Sequence, residues 1–247
     1  MIEVLTILVF AVVQSIFGIG LLFFGTPTLI VLGFSFPETL SVLLPASIAV
    51  SFLQVLQGGL PERRRIRNFA LWCMLPLFIA LVGSLGYGWD IELEIFIAAM
   101  LLAYVVIRIS PRMADCLRAF VLRFPKAWLT LIGTVHGLSN LGGGLLGIYA
   151  ANTFNEKREI RGHIAFCYLC FAVVQLATLA ILTPAVMHFE QIGYAAIAGG
   201  VFAIFERRLF GSLTAPAFER LFTAMIGAYS ALIFLKLAGA FSAETFA

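Results

Sequence analysis

Six apolar segments, each close to the length of a membrane-spanning helix, constrain the fold of this sequence more than any other feature. A helix needs about 20 residues to cross the hydrocarbon core of a bilayer. Charged residues make up 12% of the chain, about half of what a soluble domain carries. We therefore expect one all-α integral membrane domain over residues 1–247, with the lipid bilayer as its partner. The predicted spans are 39–58, 69–88, 92–109, 163–183, 190–206 and 217–237.

The distribution of lysine and arginine predicts how these spans are oriented. Fifteen of the 16 basic residues lie in four segments beside the spans, within 63–67, 108–126, 157–161 and 207–220. The alternate loops carry acidic residues such as Glu38 and Glu190 and no lysine or arginine. The positive-inside rule places the basic segments in the cytoplasm, including a linker at 111–126. Because topology explains these basic clusters, we expect no nucleic-acid partner.

Two further apolar stretches, about 3–33 and 127–154, are interrupted by glycine. The second has basic segments at both ends, so it must enter and leave the membrane on the cytoplasmic side. Each half of it, about 127–141 and 144–154, is too short as a helix to cross a ~30 Å core. The sequence therefore predicts a re-entrant pair of half-helices there, and a similar pair entering from the opposite face at 3–33.

The two interrupted stretches resemble each other in sequence. Aligning "QSIFGIGLL" (14–22) with "LSNLGGGLL" (138–146) pairs Ser15 with Ser139, Gly18 with Gly142 and Gly20 with Gly144. When three residues are removed from the following loop, the same alignment pairs Gln54 with Gln175. Since the charge pattern gives the halves opposite orientation, we predict two inverted-topology repeats, 1–110 and 127–247. Each repeat is expected to contain three transmembrane helices and one broken re-entrant helix pair.

Broken half-helices offer free N–H groups and a positive dipole end at membrane depth, which favours an anion. Glycine would let an oxygen ligand approach the backbone closely, although glycines also let helices pack tightly. The two glutamines could donate to an oxyanion or bond a neighbouring helix. The candidate substrate-binding residues are Gly18, Gly20, Leu21, Gln54, Asn140, Gly143, Gly144, Gln175, Ser15 and Ser139.

Three further residues have side chains that could titrate or react, namely His136, Cys167 and Cys170. His136 lies just before the second glycine cluster and is either a coupling or gating group or a neutral core histidine. Cys167 and Cys170 form a C-x-x-C in a predicted span, which suggests a membrane thiol-redox conduit as the alternative function. Buried cysteines are also simply small apolar residues. No metal site or cofactor is expected, and no phosphate-binding loop indicates ATP hydrolysis.

The motifs "GIGLLFFGTPTLIVLG" and "GTVHGLSNLGGGLLG" resemble the paired glycine-rich motifs of the TauE/SafE sulfite exporter family, also called the toluene sulfonate uptake permease family. The resemblance extends over nearly the whole chain. It implies a secondary transporter rather than an enzyme, an exporter of small sulfur-containing anions such as sulfite or organosulfonates. It also implies a multi-pass protein of the bacterial cytoplasmic (inner) membrane that works by alternating access.

Overall fold

A computed structural model describes residues 1–86, 93–209 and 215–237, and no strand occurs within these ranges. The ends of two predicted spans, 69–88 and 92–109, and the acidic loop between them fall partly in 87–92, outside the described residues. The helices are α1 (Ile2–Phe17), α2 (Leu21–Val31), α3 (Phe36–Gly58), α4 (Arg63–Phe69), α5 (Leu75–Gly86), α6 (Leu93–Ile109), α7 (Pro111–Arg123), α8 (Pro125–Ser139), α9 (Gly142–Thr153), α10 (Lys157–Leu182), α11 (Glu190–Leu209) and α12 (Ala215–Leu237).

All six predicted spans lie in helices wherever they are described. A π-helical turn, Ala70–Met74, joins α4 to α5, and the two form one helix over Arg63–Gly86. Among the described residues, three helices are long and apolar enough to cross a membrane, namely Phe36–Gly58, Arg63–Gly86 and Arg158–Leu182. A fourth span is present if the bent pair α6 and α7 is counted as one. The protein is therefore an all-α membrane protein.

Local signals in the sequence explain where several helices begin. Ser35 begins α3 with a capping box, in which its hydroxyl accepts from the Glu38 N–H and the Glu38 carboxylate accepts from the Ser35 N–H at 2.8 Å. Ser110 caps α7 and is followed by Pro111. The chain turns by 103° between α6 and α7 at this point. The basic linker predicted at 111–126 is thus itself helical and lies across the direction of the preceding span.

The helices form a bundle around α3 and α10, which have the most extensive mutual contact. These two helices approach closely at Gly58 and Gly162, where a Cβ on Gly58 would lie 3.2 Å from the Gly162 Cα. Helix α11 packs on α3, and α5 packs on α10. Outside these, α1 packs on α11 and α8 packs on α5, while α6 packs on α12. Helices α1 and α8, the first halves of the two broken segments, thus pack on different outer helices, α11 and α5.

Candidate functional site at the two helix breaks

The chain breaks twice at buried positions, and both breaks end the preceding helix in the same left-handed way. The new helix begins three residues after the left-handed residue in the first break, at Leu21, and two residues after it in the second, at Gly142. Helix α1 ends at Gly18 in the left-handed region (φ 73°), and its N–H donates to the Gln14 carbonyl at 2.8 Å. Helix α8 ends at Asn140, also left-handed (φ 63°), and its N–H donates to the His136 carbonyl at 2.9 Å. A left-handed residue is a common way to end a helix, and glycine and asparagine tolerate it best. Its conformation alone therefore explains the glycine at Gly18.

A second glycine in each break allows the chain to turn back against the helix that has just ended. A Cβ on Gly20 would lie 2.7 Å from the Phe10 carbonyl oxygen, and a Cβ on Gly142 would lie 2.7 Å from the Ile132 carbonyl oxygen. The nearest atoms to these two positions are the main-chain N of Gln14, at 2.5 Å, and the Cβ of His136, at 2.6 Å, respectively. Both breaks are therefore closed by the same contact between a glycine and the preceding helix.

The structural register between the breaks differs from the sequence alignment. Equivalent positions are 122 residues apart, so that Gly18 matches Asn140, Gly20 matches Gly142 and Gln14 matches His136. The alignment that paired Gly18 with Gly142 and Gly20 with Gly144 is therefore wrong by two residues. It followed identical glycine and leucine letters, whereas the equivalence depends on where the preceding helix ends.

Gln14 closes the first break. Its Oε1 accepts from the Leu21 N–H at 3.0 Å, at the start of α2. Its Nε2 donates to the Ser51 hydroxyl at 3.1 Å, and its main-chain carbonyl accepts from Gln54 Nε2 at 2.9 Å. Gln14, Ser51 and Gln54 are all buried. The N–H of Leu21 and the amide of Gln54, both expected to face a ligand, are thus engaged with Gln14.

The second break has no such cap. His136 occupies the position of Gln14, but its ring stacks on Phe171 with centroids 4.2 Å apart. Neither ring nitrogen makes a hydrogen bond within 3.5 Å, although the Gln175 side chain, whose Oε1 also lacks a partner, lies near enough to interact with the ring. Within the described part of the chain, no group accepts from the Gly143 N–H. A Cβ on Gly143 would overlap the hydroxyl oxygen of Tyr168. This hydroxyl is fully buried and also lacks a partner.

A chain of side-chain amides connects the second break to its surroundings. Gln175 Nε2 on α10 donates to Asn140 Oδ1 at 2.8 Å, and Asn140 Nδ2 donates to the Thr26 hydroxyl on α2 at 3.1 Å. These three residues are buried. Asn140 and Gln175, predicted as ligand residues, therefore hold α10, the break and α2 together.

The N-termini of α2 and α9 do not point at one common position. Asn140, just before α9, lies beside Thr26, which is five residues into α2. Gly147, five residues into α9, lies beside Ile19, just before α2. The two half-helices thus run antiparallel and side by side. Their N-termini are offset by about 8 Å, the length of five helical residues.

The remaining predicted residues have structural contacts of their own. The hydroxyls of Ser15 and Ser139 donate back to the carbonyls of Ala11 at 2.6 Å and Val135 at 2.9 Å, as serine in membrane helices often does. Gly144 packs on the ring of Tyr104, which a Cβ would approach to 2.6 Å. Tyr104 in turn donates its hydroxyl to the Leu141 carbonyl at 2.8 Å. A ligand role for Ser15, Ser139 and Gly144 stays a prediction.

Two side chains at the breaks, those of Gln14 and Tyr168, are not among the residues predicted from the sequence. Gln14 could have been found, because it is a carboxamide within an apolar segment four residues before the break. Tyr168 lies 25 residues after Gly143, and nothing in the local sequence connects the two. Only the packing of α10 against α9 brings its hydroxyl to the break.

The cysteines of the C-x-x-C differ in their surroundings. Cys167 is buried, with its Sγ 3.7 Å from His163 Nε2, whereas Cys170 is half-buried. Both are free thiols. Among the described residues, no group of three or more histidine, cysteine or acidic side chains is placed to hold a metal ion.

Two cavities lie at opposite ends of the central pair. One, of about 350 Å³, is lined by polar residues and lies beside Gly58, Gly162 and His163, at the end of the pair near the basic segments. The other, of about 500 Å³, is largely apolar and lies beside Pro45 and Leu176, towards the acidic loops. Neither cavity is lined by a residue of the two breaks.

Comparison with protein-family models, with curated proteins and with solved structures gives no match. Kinship with the TauE/SafE family therefore remains a prediction from the two glycine-rich motifs. The structure shows an all-α membrane protein whose core contains two helix breaks. Gln14 caps the new helix at the first, and no side chain of the described residues caps it at the second.

Proposed function

We propose that this protein is a secondary transporter of small sulfur-containing anions, such as sulfite or organosulfonates, and that it exports them across the bacterial cytoplasmic membrane. One observation carries the proposal. The N-terminus of α9 is buried and has no side-chain cap, and it lies beside a tyrosine and a histidine that are fully buried and make no hydrogen bond within 3.5 Å. A helix N-terminus attracts anions through its free N–H groups and its dipole.

Helix packing alone does not account for this arrangement. Packing explains why Gly20, Gly142 and Gly144 are glycines, because any side chain there would overlap a neighbour. It does not explain the unpartnered hydroxyl of Tyr168 or the unpartnered ring nitrogens of His136. Each buried polar group without a partner costs about 1–3 kcal/mol. A ligand that hydrogen-bonds these groups during transport would offset that cost.

The helix packing supports two inverted repeats, each made of three spans and a re-entrant pair. The contacts form matched sets: α1 on α11 corresponds to α8 on α5, and α11 on α3 corresponds to α5 on α10. The pairs α3–α10 and α6–α12 each join a helix to its own counterpart. The common geometry of the two breaks adds to this support. Inverted repeats with broken helices are a recurring plan among secondary transporters.

Alternating access would use the two cavities at the ends of the central pair. In this mechanism one repeat rocks against the other, so that the open N-terminus of α9 is reached first from one cavity and then from the other. His136 lies at that N-terminus, and it would act as the coupling or gating residue. The sulfur chemistry and the direction of export are supported only by the resemblance of the two motifs.

Counterflow in liposomes tests the proposal. Purified protein is reconstituted into liposomes loaded with unlabelled sulfite or methanesulfonate, and uptake of the radiolabelled anion is compared with protein-free liposomes. We expect transient accumulation with the wild type and with Gly200→Ala, which has open space around its added methyl group. Gly143→Ala, which displaces the Tyr168 hydroxyl, should abolish it. If the wild type accumulates no anion of the panel, the proposed function is wrong.

A further inference from the structure

We infer that the transported ligand is a monovalent oxyanion, bound at the second break alone by the Gly143 N–H, the Tyr168 hydroxyl and His136. The inference rests on the proposed function and specifies its site and the charge of its substrate. It names Tyr168 as a binding residue and removes the first break from the binding site.

The first break shows which hydrogen bond the second leaves unmade. In the first, the Leu21 N–H at the start of α2 donates to Gln14 Oε1 at 3.0 Å. The equivalent donor in the second break is the Gly143 N–H, 122 residues later, and the residue equivalent to Gln14 is His136. His136 stacks on Phe171 instead of capping α9. A ligand oxygen at the second break would therefore occupy the position that Gln14 Oε1 occupies at the first.

The unpartnered side chains provide the other donors. Tyr168 Oη lies against Gly143 in the first turn of α9, is fully buried and has no partner. His136 is fully buried, and its ring lies 5.7 Å from the ring of Tyr168, measured between centroids. A backbone N–H, a phenol hydroxyl and an imidazole N–H are all hydrogen-bond donors. Their convergence at a helix N-terminus suits the oxygens of an anion.

The charge of the surroundings selects a monovalent ligand. Among the described residues, the buried polar side chains include no lysine, arginine, aspartate or glutamate. The positive end of a helix dipole amounts to roughly half an elementary charge. One negative charge would be about half compensated here, whereas a second would be buried with no compensation, at high cost. Sulfonates and hydrogen sulfite meet this requirement, and sulfate and thiosulfate do not.

The test measures binding of methanesulfonate and of sulfate to the detergent-solubilised full chain by calorimetry. The two anions share a tetrahedral sulfur with at least three terminal oxygens but carry one and two negative charges. We expect methanesulfonate to bind the wild type at least about tenfold more tightly than sulfate. Tyr168→Phe should weaken methanesulfonate binding about tenfold or more, because it removes one hydrogen bond to a charged group.

A swap variant and a matched control complete the experiment. His136→Gln gives the second break the carboxamide that caps the first, and we expect it to cap α9 and abolish methanesulfonate binding without unfolding the protein. Tyr229→Phe removes the hydroxyl that accepts from Thr28 at 3.0 Å, away from the second break, and should bind as the wild type does.

The outcomes separate the inference from the function it rests on. Wild-type affinity in Tyr168→Phe and His136→Gln would overturn the site, while binding and counterflow by the wild type would still support a transporter. Sulfate binding as tight as that of methanesulfonate would overturn the selection by charge. Failure of the wild type to bind any anion, together with absent counterflow, would overturn the proposed function itself.

Discussion

The two helix breaks end the preceding helix in the same way but carry different side chains at the position that faces the new helix. At the first, Gln14 caps α2 through its carboxamide and is bonded on its other side to Ser51. At the second, His136 turns away to stack on Phe171, and the start of α9 is left open. The comparison teaches that a broken helix at membrane depth is not by itself a binding site. One side chain four residues before the end of the preceding helix decides whether the N-terminus is occupied or available.

The difference also has an energetic meaning. In the first break the carboxamide of Gln14 is bonded at both its oxygen and its nitrogen, although Oε1 of the neighbouring Gln54 has no partner. In the second, Tyr168 and His136 retain buried polar atoms without partners. Such groups destabilise the ligand-free protein by about 1–3 kcal/mol each. Stability and binding should therefore respond in opposite ways to substitutions at the two breaks.

The largest expected effect concerns the glycine that packs against the preceding helix in each break. Gly20→Ala and Gly142→Ala each place a methyl group 2.7 Å from a backbone carbonyl oxygen, of Phe10 and Ile132 respectively, and the backbone there cannot give way cheaply. We expect each to lower the free energy of unfolding by about 1–3 kcal/mol or more. Thermal unfolding in detergent measures this. Gly193→Ala, with open space around its Cβ, is the control, and it should be neutral or slightly stabilising. Equal melting temperatures for all three variants would show that the breaks do not require glycine.

A smaller and opposite effect should distinguish the breaks. Gln14→Leu leaves the Leu21 N–H without its acceptor and Ser51 without its donor, and we expect a loss of about 1–3 kcal/mol. His136→Phe keeps the stack on Phe171 and loses no hydrogen bond, so its stability should change by less than about 1 kcal/mol. Only His136→Phe should weaken anion binding. If both variants lost the same free energy of unfolding, the side chains at the two breaks would contribute equally to stability, and the distinction between a capped and an uncapped break would be wrong.

The smallest expected effect concerns the thiols. Replacing Cys167 and Cys170 together by alanine removes both sulfurs of the C-x-x-C, neither of which belongs to the proposed anion site. We expect counterflow to stay within about twofold of the wild type. Loss of transport in a variant that still folds, judged by its melting curve, would favour the thiol-redox conduit.

Much of the fold followed from local features of the sequence. The lengths of the apolar segments predicted where helices lie, and the glycine-broken stretches predicted both helix breaks, because backbone conformation at Gly18 and the capping at Ser35 depend on neighbouring residues. The sequence also indicated the polar residues that belong to the site region. Asn140 and Gln175, both singled out, are bonded to each other at 2.8 Å.

Tertiary structure alone decided which of these residues remain open to a ligand. The identical letters that aligned Gly20 with Gly144 were two residues out of register, because equivalence depends on the end of the preceding helix and on its contacts. The offset between the N-termini of α2 and α9 depends on how two half-helices, separated by more than a hundred residues, pack side by side. The open N-terminus arises from Tyr168 of α10, which packing brings against Gly143. The glycines at which the helices break and the polar residues around them can be read from the sequence, because they are local features. The packing of distant helices sets which of these polar groups are bonded within the protein and which lack a partner.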